Sequence, residues 1–319
     1  MEFEHIAVIG AGAWGTALAQ AAAMAGRRVI LIGRERAVID EINSAHTNAR
    51  HLGPQLLSEG IVAAPRHAGA DLTILAVPAQ MSRRALAGFA LSGPVVLTAK
   101  GLEHGTLKRQ SEILAEAAPT ATPFVLSGPS FAADVAAGRP TAVTLAGDDA
   151  TLTEAIAAAL AGPSFRPYAT DDRIGVELAG ALKNVYALAA GAVEGAGLGA
   201  SARSSLIARG FAELSRIVAA LGGQASTLTG LAGLGDLTLS CTSQQSRNYR
   251  AGMAYGRGQK PDPVLLAEGV TTAPVAQLLA RKADVDAPLI DAVNLLLTGS
   301  ASIETIVAGL MTRPLKREQ

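Results

Sequence analysis

The chain has 319 residues, of which 49% are hydrophobic and 17% charged, with zero net charge and a pI near 7. That length suits two domains of roughly 100–200 residues each, and that apolar share suits a large core and excludes a disordered chain. The charge balance argues against a polyanion binder, and 3% aromatic residues argue against a base-stacking surface. The single cysteine, Cys241, rules out an internal disulfide and a cysteine metal cluster, so a reducing compartment and no metal site are expected.

The opening residues, Met1-Glu2-Phe3-Glu4-His5, are acidic, whereas a signal peptide opens with positive charge. A cytoplasmic protein is expected. Strand-like apolar runs then alternate with helical stretches. Residues 5–9, 28–32, 72–77, 95–99, 124–126, 141–145 and 164–169 read as strands, with an alanine-rich helix over about 16–25. Continuous apolar strands separated by helices predict a mostly parallel sheet covered on both faces. After Asp171-Asp172 the strand-like runs stop and alanine- and leucine-rich helices take over. The boundary is therefore placed at 172, with an α/β domain over 1–172 and an all-α domain over 173–319. Residues 195–199, 230–235 and 256–263 break the helices, and the basic tail from Met311 to Gln319 reads as solvated.

Gly10-Ala11-Gly12-Ala13-Trp14-Gly15 fits G-x-G-x-x-G. Alone the pattern is weak. Here it follows a buried strand, opens a helix and precedes a second strand within ∼30 residues, as a dinucleotide site of the Rossmann type requires. Gly10 makes the tight turn, Gly12 lets the pyrophosphate approach, and Gly15 lets helix and strand pack closely. Free N–H groups and the helix dipole hold the phosphates. Trp14, the only tryptophan, sits in this loop, where a core role is awkward. The second strand ends in Gly33-Arg34-Glu35-Arg36. Arg34 suits a 2′-phosphate, which predicts a preference for NADPH; Glu35 is close enough to keep NAD in play.

Lys183 lies in a helix that is apolar almost all the way round, in a chain with 6 lysines against 21 arginines. Such a helix is normally buried. A lysine there either snorkels out, pairs with Glu177, or is held for proton transfer. The same helix is long enough to span a bilayer, but Glu177, Lys183, Asn184 and Glu194 make a span too costly.

Seven segments then converge: residues 10–19 (GAGAWGTALA), 98–101 (TAKG), 127–132 (SGPSFA), 175–187 (GVELAGALKNVYA), 233–239 (GLGDLTL), 246–248 (SRN) and 267–270 (AEGV). In these and in their order the chain resembles the bacterial NAD(P)-dependent sn-glycerol-3-phosphate dehydrogenases over essentially its whole length. The resemblance implies a Rossmann domain followed by an all-α domain of the 6-phosphogluconate-dehydrogenase-like kind. It implies reduction of dihydroxyacetone phosphate to sn-glycerol 3-phosphate with NADPH or NADH, supplying glycerophospholipid synthesis, in a cytoplasmic homodimer without nucleic-acid or membrane partners. It makes Lys183 the proton carrier. Lys100, Gly128, Ser130, Asp236, Ser246, Arg247 and Asn248 would bind substrate beside it, with Asp236 orienting Lys183 or a substrate hydroxyl. Gly10, Gly12, Ala13, Trp14, Gly15, Arg34, His51, Lys100, Ala132, Arg247, Leu266 and Glu268 would bind the cofactor. The chain departs from the family in two places. Many members have Ser where Ala13 stands, and residues 48–54 carry His51 where an aromatic is usual and Gly-Pro where Pro-Gly is usual. His104, close to Lys100 but without an evident carboxylate partner, reads as a loop residue. A 3-hydroxyacid dehydrogenase or ketopantoate-type reductase is the nearest alternative, and a non-catalytic dinucleotide sensor a more distant one; Ser246-Arg247-Asn248, which by itself reads as a polar loop and is suited to a phosphate, and Lys183 argue against them.

Overall fold

A computed structural model describes residues 3–66, 69–262, 266–314 and 317. Met1 and Glu2, Pro263, and tail residues Leu315, Lys316, Glu318 and Gln319 lie outside them. Eight strands form one sheet: β1 (His5–Ile9), β2 (Arg28–Ile32), β3 (Ile61–Ala64), β4 (Leu72–Leu75), β5 (Gly93–Leu97), β6 (Ala121–Ser127), β7 (Thr141–Ala146) and β8 (Phe165–Thr170). Their order is β3-β2-β1-β4-β5-β6-β7-β8, and all pairs are parallel except β6 with β7. Helices α1 (Ala13–Met24), α2 (Arg36–Ala45), α3 (Ala49–Leu52), α4 (Ser82–Leu86), α5 (Gln110–Ala117), α6 (Ala132–Ala136) and α7 (Ala150–Leu160) intervene. The later part is helical: α8 (Arg173–Gly195), α9 (Ala200–Ala220), α10 (Ala225–Thr229), α11 (Asp236–Thr242), α12 (Arg247–Gly256), α13 (Glu268–Lys282), α14 (Pro288–Thr298) and α15 (Ile303–Met311).

The strands are apolar on both faces because both faces are covered. Along β1, Ile6 and Val8 join one core with α1 and α7 residues, while Ala7 and Ile9 join a second core with Ile113 and Leu114 of α5. The strand β3 was not among the predicted ones. It has four residues at the sheet edge, and Val62 is exposed, so its pattern is too short and too mixed to read. Strand β6 begins before its predicted start and contains Pro123. Only Val125 to Ser127 pair with β7, so Pro123 lies where the strand has a single neighbour.

Two compact units emerge, and they do not divide at one chain position. The first comprises residues 1–181 and 222–236, the second 182–221 and 237–319. The change from strands to helices falls between Thr170 and Arg173. Helix α8 begins in the first unit and ends in the second.

Within the second unit, α8 and α12 cross at backbone contact. A Cβ on Gly191 would lie 2.0 Å from the Tyr249 carbonyl oxygen, and one on Gly252 would lie 2.1 Å from that of Leu188. One helical turn further on, Gly195 and Gly256 repeat the arrangement against Met253 and Ala192. Only glycine permits this spacing. The same unit buries a carboxyl, Glu213 of α9. It accepts hydrogen bonds from the Tyr186 hydroxyl (3.3 Å) and from the backbone N–H groups of Leu289 (2.9 Å) and Ile290 (3.1 Å) at the start of α14. Burial raises its pKa to about 7, against the opposing effect of the two backbone donors.

That shift sets a sign. The folded chain holds a proton on Glu213 that the unfolded chain releases between about pH 4.5 and 7. This group's contribution to stability is therefore present at low pH and lost as pH rises through about 7, by up to about 3 kcal/mol. In Glu213→Gln that loss is absent. The melting temperature of the variant minus that of wild type should rise with pH across the window; a flat difference assigns the titration elsewhere.

Candidate functional site

The carboxyl ends of β1, β2, β4, β5 and β6 share one edge of the sheet. The strand order reverses between β1 and β4, and ligands of open α/β sheets bind at such a point. Gly10 leaves β1 at φ +118, and a Cβ there would lie 2.4 Å from the Ala76 carbonyl oxygen. A Cβ on Gly15 would lie 1.8 Å from the Gly10 carbonyl oxygen. Both glycines are demanded by the fold itself. Gly12 differs: it is the N-cap of α1, has φ −80, and a Cβ there would meet nothing within 4 Å. The space over Gly12 is what an approaching pyrophosphate needs. No side chain caps α1 and no acidic residue occupies its first turn, so its N-terminal donors suit an anion. These residues fit a dinucleotide. The helix begins at Ala13, three residues before the predicted start. Trp14 is thus its second residue and packs, half-buried, against the core, a role that the sequence made look awkward. Arg34 is exposed just beyond β2, and His51 is exposed on α3.

A second cluster lies at the ends of β5 and β6. Lys100 donates to the Asp236 carboxylate (2.7 Å) and to the Gly128 carbonyl (2.9 Å), and the Ser130 hydroxyl donates to the same carbonyl (3.0 Å). Four residues named from the sequence are thus brought together in the first unit. Asp236 is 1% exposed, and the Lys100 ammonium fixes where its charge points. Gly128 has φ +145 and sits against Val143, which explains its identity without a ligand. Ala132 opens α6, whose start packs on the α1 core. His104 lies in an exposed turn.

The second unit holds Lys183. Its residue is 6% exposed, so it does not snorkel to solvent. The ammonium donates to the Ser240 hydroxyl at 2.7 Å. Glu177, the partner considered for it, instead accepts from the backbone N–H and hydroxyl of Ser111, each at 2.7 Å, and burial raises its pKa. Ser246-Arg247-Asn248 is not a loop. Ser246 caps α12 through the Tyr249 N–H, and Arg247 is exposed in the first turn. Asn248 is buried; its amide donates to Asn184 (2.8 Å) and its carbonyl oxygen accepts from the Gly269 N–H (2.8 Å). It therefore ties α12 to α8 and to the start of α13, where Glu268 stands, and has one N–H left for a ligand. Leu266, 62% exposed, precedes Glu268.

Comparison with known proteins decides the family. Residues 5–153 match the family profile described as NAD-dependent glycerol-3-phosphate dehydrogenase N-terminus, and residues 172–308 match the corresponding C-terminus. The chain belongs to this family. A glycerol-3-phosphate dehydrogenase [NAD(P)+] of Caulobacter vibrioides is 49% identical over the full length of both chains. The crystal structure of glycerol-3-phosphate dehydrogenase from Coxiella burnetii superposes with a TM-score of 0.90 at 35% identity, covering 98% of this chain and 99% of that one. A probable 2-dehydropantoate 2-reductase of Bacillus subtilis reaches a TM-score of 0.57 at 13% identity, a likeness of fold alone.

For a dehydrogenase of this family, three residues escaped the sequence reading. A Cβ on Gly180 would lie 2.7 Å from the Ser127 hydroxyl and 3.5 Å from Lys100 Cγ, so this glycine lets α8 pass close to the Lys100 cluster. Ser127 Oγ is buried without a partner among the described residues. Ser240, the Lys183 partner, lies four residues after Asp236 in α11, one helical turn away; that spacing was the available signal. The glycines make a sharp prediction. Gly12→Val should keep the wild-type melting temperature and lose at least about tenfold in dinucleotide affinity, because its side chain fills only the open space. Gly15→Ala should fail to fold normally. Calorimetry with NADPH and thermal melts check both; wild-type affinity in Gly12→Val removes the loop from the site.

Proposed function

We propose that the chain reduces dihydroxyacetone phosphate to sn-glycerol 3-phosphate with NADPH or NADH. The observation that carries this reading is the Lys183 ammonium, buried in the helical unit and held on the Ser240 hydroxyl. When bound, the reduced nicotinamide supplies hydride to the ketone carbon. The carbonyl oxygen then needs a proton, and Lys183 delivers it; in the reverse direction its amine accepts it. Before transfer, the charge of Lys183 stabilises the negative oxygen as it develops. Ser240 restricts the rotamers of the lysine and so fixes the Nζ position.

In the Lys100 cluster, the Asp236 carboxylate and the Gly128 carbonyl aim the Lys100 ammonium, whose charge attracts a substrate oxygen. Arg247, exposed at the capped start of α12, offers a guanidinium to the substrate phosphate. On the cofactor side, Gly12 and the first turn of α1 hold the pyrophosphate, and Arg34 takes the 2′-phosphate that favours NADPH. Trp14, His51, Ala132, Leu266 and Glu268 belong to the same reading through the family resemblance. A cytoplasmic homodimer completes it. The apolar stretch of α8 is wholly buried within the fold, which suits a core helix.

Loss of NADPH absorbance on adding dihydroxyacetone phosphate tests the activity; no oxidation with either reduced cofactor overturns it. Lys183→Ala should keep NADPH affinity and lower kcat by roughly 10²–10⁴; near wild-type turnover removes the proton-carrier role. Arg247→Ala should chiefly raise KM for the phosphorylated ketone, and an unchanged KM excludes it from the phosphate site.

A further inference from the structure

The carboxyl end of β2 carries three successive charges, Arg34, Glu35 and Arg36, all exposed. Arg36 pairs with Asp40 one helical turn later, at 3.0 Å. Glu35 pairs with Arg50 of α3. Arg34 has no carboxylate partner among the described residues.

The position of Arg50 is built into the fold. Asn48, fully buried, precedes its helix and donates its amide to the Ala11 carbonyl (3.0 Å) and to Thr16 Oγ1 (2.8 Å). Ala11 lies inside the glycine-rich loop. A Cβ on Gly33 would lie 3.0 Å from the Ala11 side chain, so the end of β2 abuts that loop. From the other flank, the Thr47 hydroxyl and the Ala49 N–H both donate to Glu41, at 2.7 Å each. These contacts bind the end of β2, the glycine-rich loop and α3 into one block, with the Glu35–Arg50 pair on its surface.

The pair does little for stability. Its side chains are 63% and 58% exposed, and exposed ion pairs are worth about 0–1 kcal/mol. Its consequence is electrostatic. An acid at the end of the second strand accepts from a ribose 2′-hydroxyl and repels a 2′-phosphate, which carries close to two negative charges at neutral pH. Glu35 stands one residue after Arg34, so an unmasked carboxylate works against the guanidinium beside it. We propose that Arg50 is a specificity-determining residue: by holding Glu35 it masks the acid that excludes a 2′-phosphate, and so allows Arg34 to bind one. The inference rests on reading this edge as the adenosine end of the dinucleotide site.

Binding of two fragments, 2′,5′-ADP and 5′-AMP, measured by calorimetry, tests it without turnover. Both side chains are exposed, so the variants keep the fold. Arg50→Ala should weaken 2′,5′-ADP by about tenfold or more and leave 5′-AMP within about twofold. Adding Glu35→Gln to Arg50→Ala should recover most of that loss, because no acid remains to be masked. The proposal is overturned if Arg50→Ala leaves the ratio of the two affinities unchanged, if it weakens both fragments equally, or if the double variant stays as weak as the single one. Arg34→Ala separates the two levels. If it too leaves the ratio unchanged, the adenosine-end reading fails; if it alone shifts the ratio, only the role of Arg50 fails.

Discussion

Helix α8 has no side that faces water. Residues 175–193 are buried without interruption, and that one condition constrains every position along it. A side chain there must be apolar, absent, or matched to a partner. Glycines stand where a neighbour comes too close for a Cβ, at Gly180 against the Ser127 side chain and at Gly191 and Gly195 against the α12 backbone. Each polar residue has a defined contact: Glu177 with Ser111, Lys183 with Ser240, Asn184 with Asn248, Tyr186 with Glu213. The lysine offered for catalysis is one member of this series. A charge held that way has few rotamers, which suits proton delivery to a fixed atom.

The buried acids obey a common rule. Asp172 accepts from the Gly175 and Gln224 N–H groups, Glu177 from Ser111 at the start of α5, and Glu213 from Leu289 and Ile290 at the start of α14. Each carboxyl takes orphan backbone donors, mostly at helix N-termini, where the helix dipole favours negative charge. The two glutamates still titrate above the ordinary carboxylate range, because burial costs the charged form more than the donors return. Asp236 belongs to a different class. It holds a lysine, and its place beside Gly128 and Ser130 puts a charge pair at the edge of the sheet where ligands bind. The start of α1 is different again: neither side-chain cap nor acid fills it, which leaves its donors to a phosphate.

Much of this was legible because it is local. The G-x-G-x-x-G run, the strands beside it and the arginine after β2 are close in sequence, and their physical demands are met within about thirty residues. A helix that is apolar almost all the way round and carries a lysine is likewise a local pattern, and it pointed to burial. What stayed hidden depended on distant neighbours. The four-residue edge strand β3 exists because β2 offers it a partner. Ser240 is one of many serines until Lys183 lies against it. The Ser246-Arg247-Asn248 group looked like a loop because a cap and its first turn are as polar as one.

The sequence by itself determined the fold class, the glycine-rich loop pattern and the candidate residues proposed for the chemistry, since backbone freedom, hydrophobic period and side-chain type are properties of short stretches. Only the tertiary structure decided what those residues touch. It set Lys100 on Asp236, made Asn248 a tie between three helices, turned Trp14 toward the core, and paired Glu35 with Arg50. The reason is that hydrogen bonds and ion pairs act over about 3–4 Å, and which side chains come that close is set by packing between segments far apart in the chain.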